Sequence, residues 1–428
     1  MLDINFIRQN SEEVKKGISA KKFDVNLVDD FLNLDIEWRE LTKKINDLRA
    51  EQKKLGEARK VDEAKKIKEE IQILEDKLES VETQRKDILE QLPNLPMSDV
   101  PLGKDESENK VARKWGEPTK FDFKILDHVE LGKRLGIIDV DNAAKVSGSR
   151  FGYFKGGAAR LEFAIVQYVF DVLTDVKILK KIADSVKKGY NPKPFIPVVP
   201  PVMIKPEVFQ RMARLKPEEE KYYFPKDDIY LIGSAEHTLG PLHMDEIISE
   251  EDLPIRYIGF STSFRREAGS YGKDTRGVLR VHQFDKLEME TFTTPEDSLT
   301  EQNFIVAIQE YLVQSLDIPY QVVSICTGDM GGPDARQIDI ECWMPGEGKY
   351  RETHTSDLMT DYQSRRLNTK IRRKDKNLEF AHMNDATAFA IGRILIAIIE
   401  NYQQKDGSIV IPKILKKYLN FDKIKPFV

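Results

Sequence analysis

The chain has 428 residues, 40% of them hydrophobic and 32% charged, with a formal net charge of −5. That length calls for two or three domains, and the acidic balance excludes a protein that coats nucleic acid with a basic surface, so any RNA contact must be local. Two cysteines, Cys326 and Cys342, make no disulfide framework and fit a reducing cytoplasm, and no apolar run of spanning length or charged-then-apolar leader points to a membrane.

Up to about residue 92 the chain contains no proline and is rich in Lys, Glu and Leu. Leu34, Trp38, Leu41, Ile45, Leu48 and Leu55 follow the alternating four-three spacing of a coiled coil, with Gln52 filling a polar core position. Ala64, Ile67, Ile71, Leu74, Leu78, Val81 and Ile88 repeat it, Arg85 being the exception. Gly56 to Lys60 reads as the turn between two antiparallel helices over about residues 28–92. Each helix would run roughly 45 Å at 1.5 Å per residue, beyond the radius of gyration of ~20 Å expected for a compact remainder, so the arm is expected to protrude. Near its tip Lys53, Lys54, Arg59, Lys60, Lys65, Lys66 and Lys68 outnumber Glu57, Asp62 and Glu63. Local positive charge is what phosphate contact needs, although a solvated coiled-coil face has the same composition.

Pro93, Pro96, Pro101, Gly103 and the charged run up to Pro118 read as a segment with no core of its own. The expected division is an N-terminal domain over 1–105, a linker over 106–120 and a second domain over 121–428. His128 reads as a structural or capping group. Pro197, Pro200 and Pro201 among Val198, Val199, Val202 and Ile204 suit an edge strand. In Leu231 to Glu236, Ser234 stands two residues before Glu236 at a strand end, a weak signal by itself. The spacings of His237, His243 and the cysteines are wrong for a zinc cluster, so no zinc is expected.

Thr262 to Thr291 reads as two strands joined by a polar loop punctuated by Gly269, Gly272 and Gly277. Period-two alternation puts Arg280, His282, Phe284, Lys286 and Glu288 on one face of the second strand, and Arg265 and Glu267 on one face of the first. Guanidinium forks suit phosphates, a ring suits a base and carboxylates suit amino groups, yet a salt-bridged outer hairpin face fits the pattern as well. Further on, Asp339 to Trp343 alternates as a strand, and Glu352 and Thr355 offer oxygen ligands to Mg²⁺, with ordinary surface polarity as the alternative. Ala388 to Ile399 is apolar apart from Gly392 and Arg393, so it reads as a buried helix whose single charge needs an anionic partner.

The run FRREAGSYGKDTRGVLRVHQF, Phe264 to Phe284, followed by Glu288, closely resembles motif 2 of class II aminoacyl-tRNA synthetases in its seryl-tRNA synthetase version. The stretch from Asp127 to Gly156 and the tail NYQQKDGSIVIPKIL resemble the same family, Pro201 falls where motif 1 has its proline, and Asp385 to Gln403 resembles motif 3. The resemblance implies an α+β fold: an antiparallel β-sheet flanked by helices, with an N-terminal antiparallel α-helical coiled-coil arm. It also implies ATP, L-serine and tRNA(Ser) as substrates, with tRNA(Sec) left open, Mg²⁺ bound with ATP, a homodimer built through motif 1, and a cytoplasmic location. By position it assigns the catalytic arginines Arg265, Arg280 and Arg393, and an ATP site of Arg265, Arg266, Glu267, Arg280, Val281, Phe284, Glu352, Thr353, His354, Thr355 and Arg393. The serine site would be Ser234, Ala235, Glu236, Arg265, Glu288 and Thr387; Glu352 and Thr355 would meet the metal; Lys53, Lys54, Arg59, Lys60, Lys65 and Lys66 would meet tRNA. Three departures from the family pattern stand out: Asp385 where it has asparagine, Asn191 to Pro194 as an insertion, and His237 to His243.

Overall fold

The computed structural model describes residues 1–268 and 277–425, which fall into two units, 1–96 and 97–428. In the first, α1 (Ile4–Gln9) and α2 (Ser11–Ala20) precede the long helices α3 (Asn26–Glu57) and α4 (Val61–Gln91). Gly56 and Glu57, expected in the turn, are still helical; the reversal is made by Ala58 to Lys60, with Arg59 at φ +57°. Leu41 and Ile45 of α3 and Ile71 and Val81 of α4 are buried in the paired helices, as the spacing predicts, whereas near the end of α4 it is Leu89 that is buried and the expected Ile88 is only half-buried.

The polar exception in that seam has a partner. Arg85 Nε donates to Asp35 at 2.9 Å, and the guanidinium lies 4.8 Å from the Trp38 ring centroid. Arg8 grips the same carboxylate at 2.8 Å. Asp35 is fully buried, which pushes its carboxyl up, but hydrogen bonds from Arg8 and Arg85 outweigh burial and leave it below the ordinary carboxylate range. An ion pair replaces one apolar layer and fixes the register of the two helices. The basic residues Lys53, Lys54, Arg59, Lys60, Lys65 and Lys66 are all exposed.

The second unit is organised by an eight-stranded sheet. Its strands in chain order are β1 (Lys110–Trp115), β2 (Ile196–Val198), β3 (Ile255–Phe264), β4 (Gln283–Thr293), β5 (Tyr320–Ser324), β6 (Arg336–Met344), β7 (Lys349–Thr360) and β8 (His382–Ala390). The spatial order is β1-β5-β6-β7-β8-β4-β3-β2, antiparallel except where β2 runs parallel to β3. Further helices include α5 (Gly157–Thr174), α6 (Pro206–Arg211), α7 (Ser298–Ser315) and α8 (Ile391–Asn401). Helices α7 and α8 pack against the sheet, burying Leu312, Ile394 and Ile398 in one core with Leu287, Ile340 and Phe389.

Several expectations need correction. The segment 106–120 is not a free linker: β1 lies inside it and pairs with β5 from Lys110–Ser324 to Trp115–Tyr320. The boundary between units falls at 96/97, not near 105. Ala388 to Ala390 end strand β8, and the helix starts only at Ile391, because sheet pairing overrides the local apolar pattern. The Asn191 to Pro194 segment is anchored through its backbone, since Arg256 Nη1 donates to the carbonyls of Asn191 and Lys193 at 3.0 and 2.6 Å while its other edge pairs with Glu301. The glycine-punctuated loop around Gly269 and Gly272 lies outside the described residues.

Candidate active site

In a regular strand, residues three apart point to opposite faces. Glu352 and Thr355 nevertheless share a cavity, because the β6–β7 register shifts between Ile340/His354 and Glu341/Glu352, leaving Thr353 as the extra residue. A second shift in β4–β8 places Glu288 opposite Thr387 while Leu287 lies opposite Phe389. The β7–β8 ladder starts at Ser356–Ala386. Just beyond it, the side-chain amide of Gln309, fully buried on α7, donates to the carbonyls of Thr355 and Thr387 at 2.9 and 2.8 Å. A helix side chain thus takes over where strand pairing stops, and the sheet opens there.

That opening is a cavity of about 280 Å³. Of the predicted residues, Arg265, Glu267, Arg280, Val281, Phe284, Glu352, Thr353, Thr355, Arg393, Glu236, Glu288 and Thr387 all line it. Four do not. Arg266 places its guanidinium 5.8 Å from the Tyr222 ring centroid, and its backbone N–H donates to the Glu220 carbonyl at 3.0 Å. His354 is fully buried, 5.0 Å from the Phe389 ring, and burial pushes its imidazole down to about 3. Ala235 is buried behind the site, against Gly259 of β3. Ser234 is buried too, but its Oγ accepts from Lys286 Nζ at 3.0 Å, which ties it to the cavity wall. Thr353 turns its hydroxyl to the Ile340 carbonyl at 3.1 Å, so what reaches the cavity is not its oxygen. Arg265 and Glu267 follow the end of β3, and Arg280 and His282 precede β4, so these four are not strand residues as the alternation predicted.

The two ends of the cavity differ in charge. At one end Arg280 pairs with Glu267 and Arg393 with Glu352, each at 2.7 Å. Arg265 donates from Nε to the Gly233 carbonyl at 3.1 Å, with its guanidinium 5.3 Å from the Phe284 ring centroid. At the other end Glu236, Glu288 and Asp385 lie with carboxylate oxygens within 4.8 Å of one another. Burial pushes Glu288 up to about 7, with Glu236 adding to it and Lys286 at 2.5 Å opposing it. Burial likewise raises Glu290, Asp357 and Asp385 well above the usual range, because more carboxyls crowd here than the neighbouring cations neutralise. Glu236 goes the other way: burial raises it, but Arg214, His237 and Lys286 outweigh that and keep it ionised.

Three contributors escaped sequence reasoning. Arg214 stands in a loop after α6, where a lone cation looks like surface. Lys286 was read as one more charge on a strand face, but it bridges Ser234 and Glu288. His237 Nδ1 accepts from the Gly233 N–H at 3.1 Å, which leaves the proton on Nε2, 3.4 Å from Glu236; burial pushes the imidazole down to about 4. It braces the turn that presents Glu236. His243 is engaged elsewhere, with Glu246 at 2.8 Å and Tyr257 at 2.9 Å.

Comparison with known proteins agrees with this architecture. Residues 1–96 match the seryl-tRNA synthetase N-terminal domain and 221–402 the tRNA synthetase class II core domain (G, H, P, S and T). The serine–tRNA ligase of Thermodesulfovibrio yellowstonii is 39% identical over 99% of this chain and 100% of its own length; that of Thermotoga neapolitana is 41% identical over 99% and 100%. Among solved structures, the seryl-tRNA synthetase of Pyrococcus horikoshii complexed with ATP superposes with a TM-score of 0.91 at 38% identity, covering 100% of both chains. The cytoplasmic serine–tRNA ligase of Naegleria fowleri in complex with AMP gives 0.88 at 32%, covering 100% of this chain and 99% of that one. With both domains and the full length in common, the chain belongs to the seryl-tRNA synthetases, the serine–tRNA ligases of the class II aminoacyl-tRNA synthetases.

Proposed function

We propose how this member of the serine–tRNA ligases, which joins serine to tRNA at the expense of ATP, divides that work among its residues. The observation that carries the reading is the meeting of Arg265, Phe284, Glu288 and Arg393 in one cavity with a basic and an acidic end. Arg265 holds the α-phosphate and the serine carboxylate, Phe284 stacks the adenine, and Glu267 accepts from its amino group. Arg280 and Arg393 exchange their carboxylate partners for the β- and γ-phosphates. Glu236 and Glu288 receive the serine ammonium group, and Thr387 and Ser234 line the pocket for its hydroxyl. A pocket that hydrogen-bonds that hydroxyl rejects alanine by up to about 10⁴–10⁵, whereas threonine is excluded sterically.

At pH 7 the serine carboxylate is already ionised, so its attack on the α-phosphorus needs no general base; the work is positioning and neutralising charge. Serine gains an acyl-phosphate bond to AMP and pyrophosphate leaves. The terminal ribose hydroxyl of tRNA then attacks the acyl carbon, and AMP departs. Glu352 and Thr355 line the cavity, and their oxygens would suit Mg²⁺; when bound, the ion would neutralise charge on the leaving pyrophosphate. The exposed lysines of the arm tip suit the phosphates of tRNA(Ser), with tRNA(Sec) as a second candidate. Exposed Ile196, Val199 and Met203 around β2 suit burial against a second copy in a homodimer. Two free, buried cysteines suit the cytoplasm.

Amino-acid-dependent ATP–pyrophosphate exchange across the twenty amino acids tests the first step: serine alone should support strong exchange, and a preference for another amino acid refutes the pocket. Deleting Leu41 to Arg85 should leave exchange intact and end tRNA charging. Charging that survives the deletion removes the arm from RNA recognition.

A further inference from the structure

Asp385 occupies a position where the family pattern has asparagine, and it does so in a buried row. Glu290 of β4 lies opposite Asp385 of β8, which in turn lies opposite Asp357 of β7, with exposures of 0%, 1% and 8%. An extra carboxyl in such a row is costly unless a cation meets it. The cation that does so is Arg214. Its Nη2 donates to Asp385 at 2.9 Å and lies 3.6 and 3.8 Å from Asp334 and Asp357, while its Nε lies 3.4 Å from Glu236. One planar fork therefore touches both the departing residue and a carboxylate assigned to the substrate ammonium.

The loop that carries Arg214 is built to aim it. Ala213, immediately before, has φ +56°, a left-handed conformation that costs a residue with a Cβ about 1 kcal/mol. The end of α6 is clamped from behind: Arg366 donates to the carbonyls of Gln210 and Arg211, and Gln363 donates to that of Met212. It is these hydrogen bonds that hold the turn beside a cavity-lining side chain.

We propose that Arg214 is a positioning residue of the serine pocket, matched to Asp385, whose guanidinium accommodates the aspartate and holds the Glu236 carboxylate toward the substrate ammonium. The inference rests on the serine-pocket reading above. The carboxylates that Arg214 meets are Glu236, Asp334, Asp357 and Asp385, so its loss should weaken serine binding more than the chemical step.

Exchange kinetics with serine and ATP varied separately test this in Arg214→Gln, Arg214→Lys and Arg214→Gln/Asp385→Asn. Arg214→Gln should raise KM for serine at least 30-fold, with KM for ATP and kcat within about threefold of the unsubstituted chain. Arg214→Lys, which keeps charge but not the fork, should fall between. The double variant, which replaces the guanidinium–carboxyl contact by two amides, should return KM for serine to within about fivefold. If Arg214→Gln does not fold, the double variant must still show a Tm and a serine KM close to those of the unsubstituted chain. An unchanged serine KM in Arg214→Gln, or a double variant as impaired as the single one, overturns the inference. A lack of serine dependence in the unsubstituted chain would instead overturn the pocket reading on which it rests.

Discussion

The two ends of the cavity solve opposite problems. At the basic end, Arg280–Glu267 and Arg393–Glu352 are partly exposed pairs, Glu352 being 47% accessible, so water or a phosphate can replace a carboxylate there at modest cost. At the acidic end Glu288 is 1% exposed and Glu290 fully buried, and an unpaired charge there shifts its pKa or must be met by a fixed cation. On the proposed assignment, phosphates would be held by side chains that change partners and the small ammonium by groups that cannot move.

Perturbing the two ends should separate these behaviours. Arg265 lines the cavity with its guanidinium over Phe284, and Arg265→Ala should lower serine-dependent exchange by 10³-fold or more, about 4 kcal/mol in the transition state, with circular dichroism unchanged; near-normal exchange would remove it from the site. Gln309 supports the opening from behind. Gln309→Met leaves the Thr355 and Thr387 carbonyls without their donor and should cost about 2–4 kcal/mol in urea unfolding, with a loss below 1 kcal/mol contradicting its structural role.

The acidic end should also titrate. With Glu288 at about 7, the form able to receive an ammonium is lost on acidification, so KM for serine should rise about tenfold from pH 8 to pH 6 while KM for ATP does not follow. Glu288→Gln should flatten that profile at a higher KM. Because this pKa is raised from 4.5, the folded chain retains a proton that the unfolded chain has lost. Glu288 thus costs stability progressively as pH rises from 4.5 through about 7, and Glu288→Gln should make stability less pH-dependent across that window. The smallest effect is expected at Ala213: Ala213→Gly removes the left-handed strain and should stabilise by no more than about 1 kcal/mol, leaving serine KM within twofold. A larger gain or a shifted KM would mean that the loop needs its strain.

The helical arm was legible along the chain, down to the ends of α3 and α4 within a few residues, because a coiled-coil seam is written in local spacing. The resemblance of one continuous motif also named Arg265, Phe284 and Glu288, which the structure brings to a single cavity. The folded chain was needed to explain why Arg85 can sit in the seam, since Asp35 lies fifty positions away in the chain, and how Glu352 and Thr355 come to share a face, since that depends on a register shift against β6. The partners of Asp385 were decided there too: a carboxylate's cost is set by what surrounds it, and Arg214 arrives from a loop 171 residues earlier. Periodicity records which face a residue takes within its own element; bulges, buried ion pairs and shared cavities arise between elements, where spacing along the chain carries no such record.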